Sequence, residues 1–138
     1  MKYQIIKQKN SLSVVALVFS LLFCTTIYAQ DAKVGKLTFQ TEVIDYGEIV
    51  QNADGERIFK FTNTGDAPVV ISKVKTTCGC TVPEYPKTAI LPGDSGEIKI
   101  KYATSRIGAF TKGITVFSNA SNKSQTLKIK GEVLKGPL

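Results

Sequence analysis

Two cysteines separated by one residue, Cys78 and Cys80, are the side chains of this chain best placed to do chemistry. They sit in the stretch Lys75-Thr-Thr-Cys-Gly-Cys-Thr-Val-Pro83, and the one other cysteine, Cys24, falls far upstream. Three states compete for the pair. The first is a disulfide spanning Gly79. In an extended strand the two Cα atoms would lie about 6.6 to 7 Å apart, at or beyond the usual bridging range. Gly79 would have to bend the chain, and a strained bond is a more oxidising one. The second state is a soft-metal site, for which two thiolates suit Cu(I). Structural zinc wants four ligands, and no histidine or second cysteine pair is offered. The third is packing, since free cysteine often behaves as a small buried hydrophobe.

Other chemistries are poorly supplied. The chain has no histidine, and its one methionine is Met1. That removes the commonest general base and every Ser/His or Cys/His nucleophilic arrangement. Gly-rich phosphate loops are missing too. The carboxylates Asp54, Glu56, Asp66, Glu84, Asp94 and Glu97 fall at turns and strand ends, where solvated acids are the norm. The reading is therefore non-enzymatic, with no cofactor.

The elements that must position the pair follow a leader. Lys2, Lys7 and Lys9 give a basic start, Val14 to Cys24 an apolar run, and Thr25 to Gln30 a more polar end. That order is the secretory signal-peptide pattern, with cleavage expected after Ala29. The apolar run is short of the about 20 residues that a spanning helix needs, so no stable membrane insertion is expected after cleavage. Phe23 argues against a lipidated Cys24. The expected location is periplasmic or secreted, an oxidising setting in which paired cysteines persist. The whole chain carries 18 Lys+Arg against 11 Asp+Glu, a charge of +7. Without the three leader lysines this falls to +4. Lys99, Lys101, Lys128 and Lys130 alternate with apolar residues, as on the outer face of strands. No basic patch with interleaved exposed aromatics is seen, so nucleic acid is not an expected partner.

From Lys36 onward the apolar period is two. Leu37 and Phe39, then Phe59 and Phe61, then Ile98, Ile100 and Tyr102, each hold one parity. So do Phe110, Ile114 and Val116, and at the end Leu127, Ile129 and Val133. Val70, Ser72 and Val74 are read as one face of a strand, with Val69 and Ile71 on the other. Turn residues at Asn52–Gly55, Asn63–Asp66, Pro92–Gly96 and Asn119–Asn122 punctuate these runs. The pattern predicts an all-β, immunoglobulin-like β-sandwich of about seven strands over residues 37–134. A signal peptide (1–29) and a flexible entry (30–36) precede it, and a short tail (135–138) follows. Phe39, Phe59, Phe61, Tyr102 and Phe110 fall at core parity, which argues against a carbohydrate-binding stripe.

Five blocks then come in a familiar order: Asp45-Tyr46-Gly47, Phe61-Thr62-Asn63-Thr64-Gly65, Thr77-Cys78-Gly79-Cys80-Thr81, Leu91-Pro92-Gly93 and Gly131-Glu132-Val133. With them the chain resembles the secreted bacterial domain-of-unknown-function 1573 family, from about Phe39 to Val133 and with no departure in the matched blocks. The Cys-Gly-Cys block is the specific part. Thr77, Gly79, Thr81, Asn63 and Gly65 are taken as residues supporting the motif. The resemblance implies an immunoglobulin-like sandwich related in architecture to major sperm protein and cilium-associated domains, and no established activity. The leading expectation is an exported, non-catalytic envelope module that binds another envelope protein or is structural. The Cys78–Pro86 loop, with Tyr85 and Lys87, or an edge strand beside it is the expected contact surface. The alternative is a thiol redox or Cu(I)-handling protein acting through Cys78 and Cys80.

Overall fold

The computed structural model describes residues 31–136. The leader, with Cys24 and the cleavage position, and Pro137–Leu138 lie outside the described residues. Within them there is no helix, and eight strands form two four-stranded sheets. The strands are β1 (Leu37–Phe39), β2 (Val43–Val50), β3 (Glu56–Asn63), β4 (Ile71–Thr76), β5 (Thr81–Glu84), β6 (Ser95–Tyr102), β7 (Gly108–Ser118) and β8 (Ser124–Leu134). One sheet runs β1-β3-β6-β5 and the other β2-β8-β7-β4. All neighbours pair antiparallel except β2 and β8, which are parallel. The all-β sandwich is as expected. β1 edges one sheet, and after Gln40–Glu42 the chain edges the other as β2; the strand not expected is β5, which lies within the segment read as the Cys78–Pro86 loop and edges the first sheet beside β6.

Alternation explains the core. Phe59, Phe61, Ile98, Ile100, Ile114, Leu127 and Ile129 are all essentially fully buried, every second residue of their strands. Phe39, Tyr102 and Phe110 join them inside. Burying a side chain of this size stabilises the fold by about 1.5–3 kcal/mol. Lys99, Lys101, Lys128 and Lys130 lie exposed on the outer faces, and Lys60 pairs with Glu97 across β3 and β6 at 3.8 Å.

β4 departs from the expected parity. Its register against β7 slips between Ile71 and Lys73, so one extra residue sits in the strand. Such a bulge flips the side chains that follow. Val69, Ile71 and Val74 all face the core, while Val70 and Ser72 are exposed. Three residues of the expected entry segment are hydrogen-bonded to the sandwich. Val34 and Lys36 accept from the Asp66 and Thr64 N–H groups, and the Gly35 carbonyl accepts from the Ser121 N–H.

Candidate functional site

The cysteines lie on neither sheet. β4 ends at Thr76, and the chain crosses in the turn Thr77–Cys80 to begin β5 at the edge of the opposite sheet. The turn brings the two Cα atoms to 5.3 Å, and the sulfurs are at bonding distance. Of the three states open to the pair, this is the disulfide spanning Gly79, with the chain bent into a turn inside the usual bridging range.

Backbone and threonine hydrogen bonds hold this turn. The Thr76 hydroxyl donates to the Cys78 carbonyl at 2.9 Å and the Thr81 carbonyl at 3.1 Å. The Thr77 N–H donates to the Gly113 carbonyl, and the Gly113 N–H donates to the Thr77 hydroxyl. The Ala103 N–H donates to the Cys80 carbonyl at 2.9 Å. Cys80 is buried in the core, whereas Cys78 is only half-buried and Gly79 is exposed. The Thr81 hydroxyl lies 3.9 Å from the Cys78 sulfur and 4.0 Å from that of Cys80, on a residue that is itself buried. Among the described residues no three His, Cys, Asp or Glu side chains converge on a metal-sized site, so a copper ion here would have the two sulfurs alone.

Two further turns share this end of the sandwich. The β2–β3 turn is tied to the β6–β7 turn by Asn52 N–H to Thr104 carbonyl and by Thr104 hydroxyl to Ala53 carbonyl, at 3.2 and 2.6 Å. An open depression of about 400 Å³ lies between them, with Asn52, Asp54, Lys101 and Ser105 on its walls. Beneath sits an aromatic floor, in which Tyr102 stacks on Phe110 at 3.9 Å and Tyr46 meets Phe110 edge-on at 5.3 Å. The Tyr46 hydroxyl donates to the Gly55 carbonyl at 2.7 Å, and burial pushes its pKa up to about 12, against a partial lowering by Arg57. The Arg57 guanidinium lies over the Tyr46 ring at 4.2 Å.

Asn63 and Gly65 are not part of this site. β3 runs from Glu56, level with Lys101, to Asn63 at the far end of the same sheet. There Asn63 is fully buried, donating to the Ala67 and Ile90 carbonyls and accepting from the Lys36 and Gly65 N–H groups. Gly65 is required because a Cβ there would lie 2.6 Å from the Gly35 carbonyl carbon. Gly93, in the left-handed region with φ 85°, donates its N–H to the Asn63 carbonyl. These residues are a structural joint. Tyr85 packs on the core edge with Lys87 3.3 Å above its ring. Pro83 pairs opposite Ile100 within β5, so it does not end the strand. Because Cys80 bonds Ala103 and pairing alternates, the Pro83 nitrogen faces the open edge, where it blocks strand addition.

Sequence reasoning passed over Thr76, Ala103 and Lys112. Thr76 and Ala103 act through long-range hydrogen bonds that leave no local signal. Lys112 was legible: it shares the inward parity of Phe110 and Ile114, and it is half-buried one residue before Gly113 of the Thr77–Gly113 contact.

The model of the family described as protein of unknown function (DUF1573) matches residues 37–133. The chain belongs to that family. No curated protein matches it. A crystal structure of a protein of unknown function from Porphyromonas gingivalis W83 is 18% identical with a TM-score of 0.64, covering 78% of this chain and 51% of that one. The chain thus spans about half the length of that protein. The seventh PapD-like (ASH) domain of human CEP192 is 9% identical at TM-score 0.63, covering 75% and 89%. The VesB protease of Vibrio cholerae is 10% identical at TM-score 0.55, covering 70% of this chain and 31% of that one. At such identities the likeness is one of fold.

Geometry separates the five blocks of the sequence. Asp45-Tyr46-Gly47 packs on Gly131, where a Cβ would come within 2.7 Å of the Tyr46 Cβ. The Asn63 block joins the Leu91-Pro92-Gly93 turn. Packing accounts for both pairs of blocks. It does not account for Gly79, whose Cβ position has nothing within 4 Å and whose φ is not in the left-handed region.

Proposed function

We propose that this chain is an exported, non-catalytic module that docks another envelope protein through the end of the sandwich bearing the three turns. The observation that carries the reading is a row of exposed aliphatic side chains at that end. Val50 pairs with Leu134 across β2 and β8, and Ile107 directly precedes Gly108, which pairs with Val133 at the end of β8. The three are 49%, 39% and 56% exposed. Single exposed aliphatics are ordinary, but a row beside an unpaired edge strand is what a protein interface buries. The leader pattern of residues 1–29 and the paired cysteines support export. The fold shared with the PapD-like domain fits a module that works through its surface.

A photo-crosslinking residue placed at Ile107 tests this in intact cells. A discrete adduct with one envelope protein is expected from position 107, and none from position 91, which is equally exposed at the other end. Equal adducts from both positions, or adducts from 91 alone, would refute the assignment. N-terminal sequencing of the cell-extracted protein tests export, with a start near Gln30 expected.

A further inference from the structure

We propose that the Cys78–Cys80 pair exchanges with the thiols of a partner dithiol protein, with Cys78 as the sulfur attacked and Cys80 as the sulfur that leaves. This reading is independent of the docking surface. Four observations converge on it.

The two sulfurs are unequal, since Cys78 is half-buried and Cys80 lies in the core. An incoming thiolate therefore meets Cys78 first, and access decides which sulfur reacts. Next, the turn keeps its shape without the sulfur–sulfur bond. The Thr76, Thr77, Ala103 and Thr81 hydrogen bonds all run to main-chain atoms of the turn or its neighbours. A reduced pair would stay side by side, ready to close again.

Gly79 is the third observation. It needs neither a left-handed φ nor a close approach, the two usual reasons for glycine in a turn. What its missing side chain does provide is open space above the pair. Last, the Thr81 hydroxyl has the two sulfurs as its hydrogen-bond partners, almost equidistant. A hydroxyl bonds a sulfur bearing negative charge far better than a neutral one. It is placed to hold whichever sulfur carries the charge during exchange.

In the step, the partner's thiolate attacks the Cys78 sulfur and the Cys78–Cys80 bond breaks. Its electron pair goes to Cys80, which leaves as a thiolate beside the Thr81 hydroxyl and is then protonated from water. The partner's second thiolate attacks its own first sulfur in the mixed disulfide and releases Cys78, which takes a proton in turn. Two electrons pass from the partner dithiol to this chain, and the partner ends as a disulfide.

Glutathione serves as the probe. The wild-type protein is incubated with reduced glutathione, quenched with acid and alkylated, and the mixed disulfide is mapped by peptide mass. It is expected on Cys78; mapping to Cys80, or a bond that survives the reductant, overturns the proposal. Single variants give a second reading. Cys80→Ser should form its mixed disulfide with oxidised glutathione at least about tenfold faster than Cys78→Ser, the more accessible thiol being the reactive one. Equal rates overturn the asymmetry. Gly79→Val should slow reduction of the bond several-fold while leaving the melting temperature unchanged, and an unchanged rate removes the role given to Gly79.

Discussion

Asn63→Ala is expected to be among the most costly polar substitutions in this domain. Its side chain is fully buried and makes four hydrogen bonds, to Ala67, Ile90, Lys36 and Gly65, at 2.8, 2.9, 3.2 and 3.0 Å. Alanine removes all four. The Ile90 carbonyl still accepts from the Val69 N–H, but the other three groups lose this partner inside or at the edge of the core. At about 1 kcal/mol of net stabilisation per bond, the loss is about 4 kcal/mol. That is a large part of the about 5–15 kcal/mol that holds a domain folded. Urea unfolding followed by far-ultraviolet circular dichroism measures it, with the slope unchanged and the midpoint lowered. Asn63→Asp refines the test. It keeps the acceptor toward Lys36 and Gly65 but turns an oxygen toward the Ala67 and Ile90 carbonyls. Burial raises the folded pKa of such a carboxyl above its unfolded value of about 3.9, so stability is lost as pH rises through that region. The alanine variant has no such dependence. A cost below about 1 kcal/mol for alanine would show that water replaces the side chain, and the joint would not be structural.

Tyr46→Phe removes the hydroxyl bond to Gly55 and should cost about 1 kcal/mol by thermal or urea unfolding. Because burial raises the folded pKa of Tyr46 from 10.0 to about 12, wild-type stability is fully present below pH 10 and falls as pH climbs toward 12. The phenylalanine variant should lack that part of the fall. Cys78→Ala with Cys80→Ala should cost only about 1.5 kcal/mol, because the bond closes a ring of three residues and constrains the unfolded chain little. A loss of about 4 kcal/mol, typical of a long-loop disulfide, would refute that account. Gly65→Ala should destabilise by more than about 2 kcal/mol through a backbone clash, whereas Gly79→Ala should be neutral within about 0.5 kcal/mol, both by urea midpoint.

Strict alternation made most of the core legible. Phe59 and Phe61, Ile98 to Tyr102, and Leu127 to Val133 point inward as their parity requires. Parity failed at Ser72, because a bulge adds one residue without any glycine or proline to announce it. The first strand's division between two sheets was equally silent, since Gln40-Thr41-Glu42 carries none of the usual turn residues. At the cysteines the bend needed to bridge Gly79 could be stated from the spacing, but its cause, the crossing from β4 in one sheet to β5 in the other, could not. Asn63 was singled out with the cysteine motif, yet it belongs to the opposite end. Its partners at Lys36 and Ile90 are 27 residues away on either side, and no local pattern encodes such contacts.

The parallel pairing of β2 with β8 has a consequence for how the chain can assemble. β8 is an interior strand of its sheet, and β2, made early, has no other neighbour there. Val43 meets Lys128, a closure spanning most of the domain. Contacts so distant in sequence are slow to form, because the entropy of closing the loop is lost before any contact offsets it. A chain emerging from its N-terminus therefore holds β2 as an unpaired edge until residues 124–134 are free. Any nascent or truncated form ending before Ser124 presents that edge to other chains, and intermolecular strand pairing rather than a smaller folded domain is the outcome expected of it.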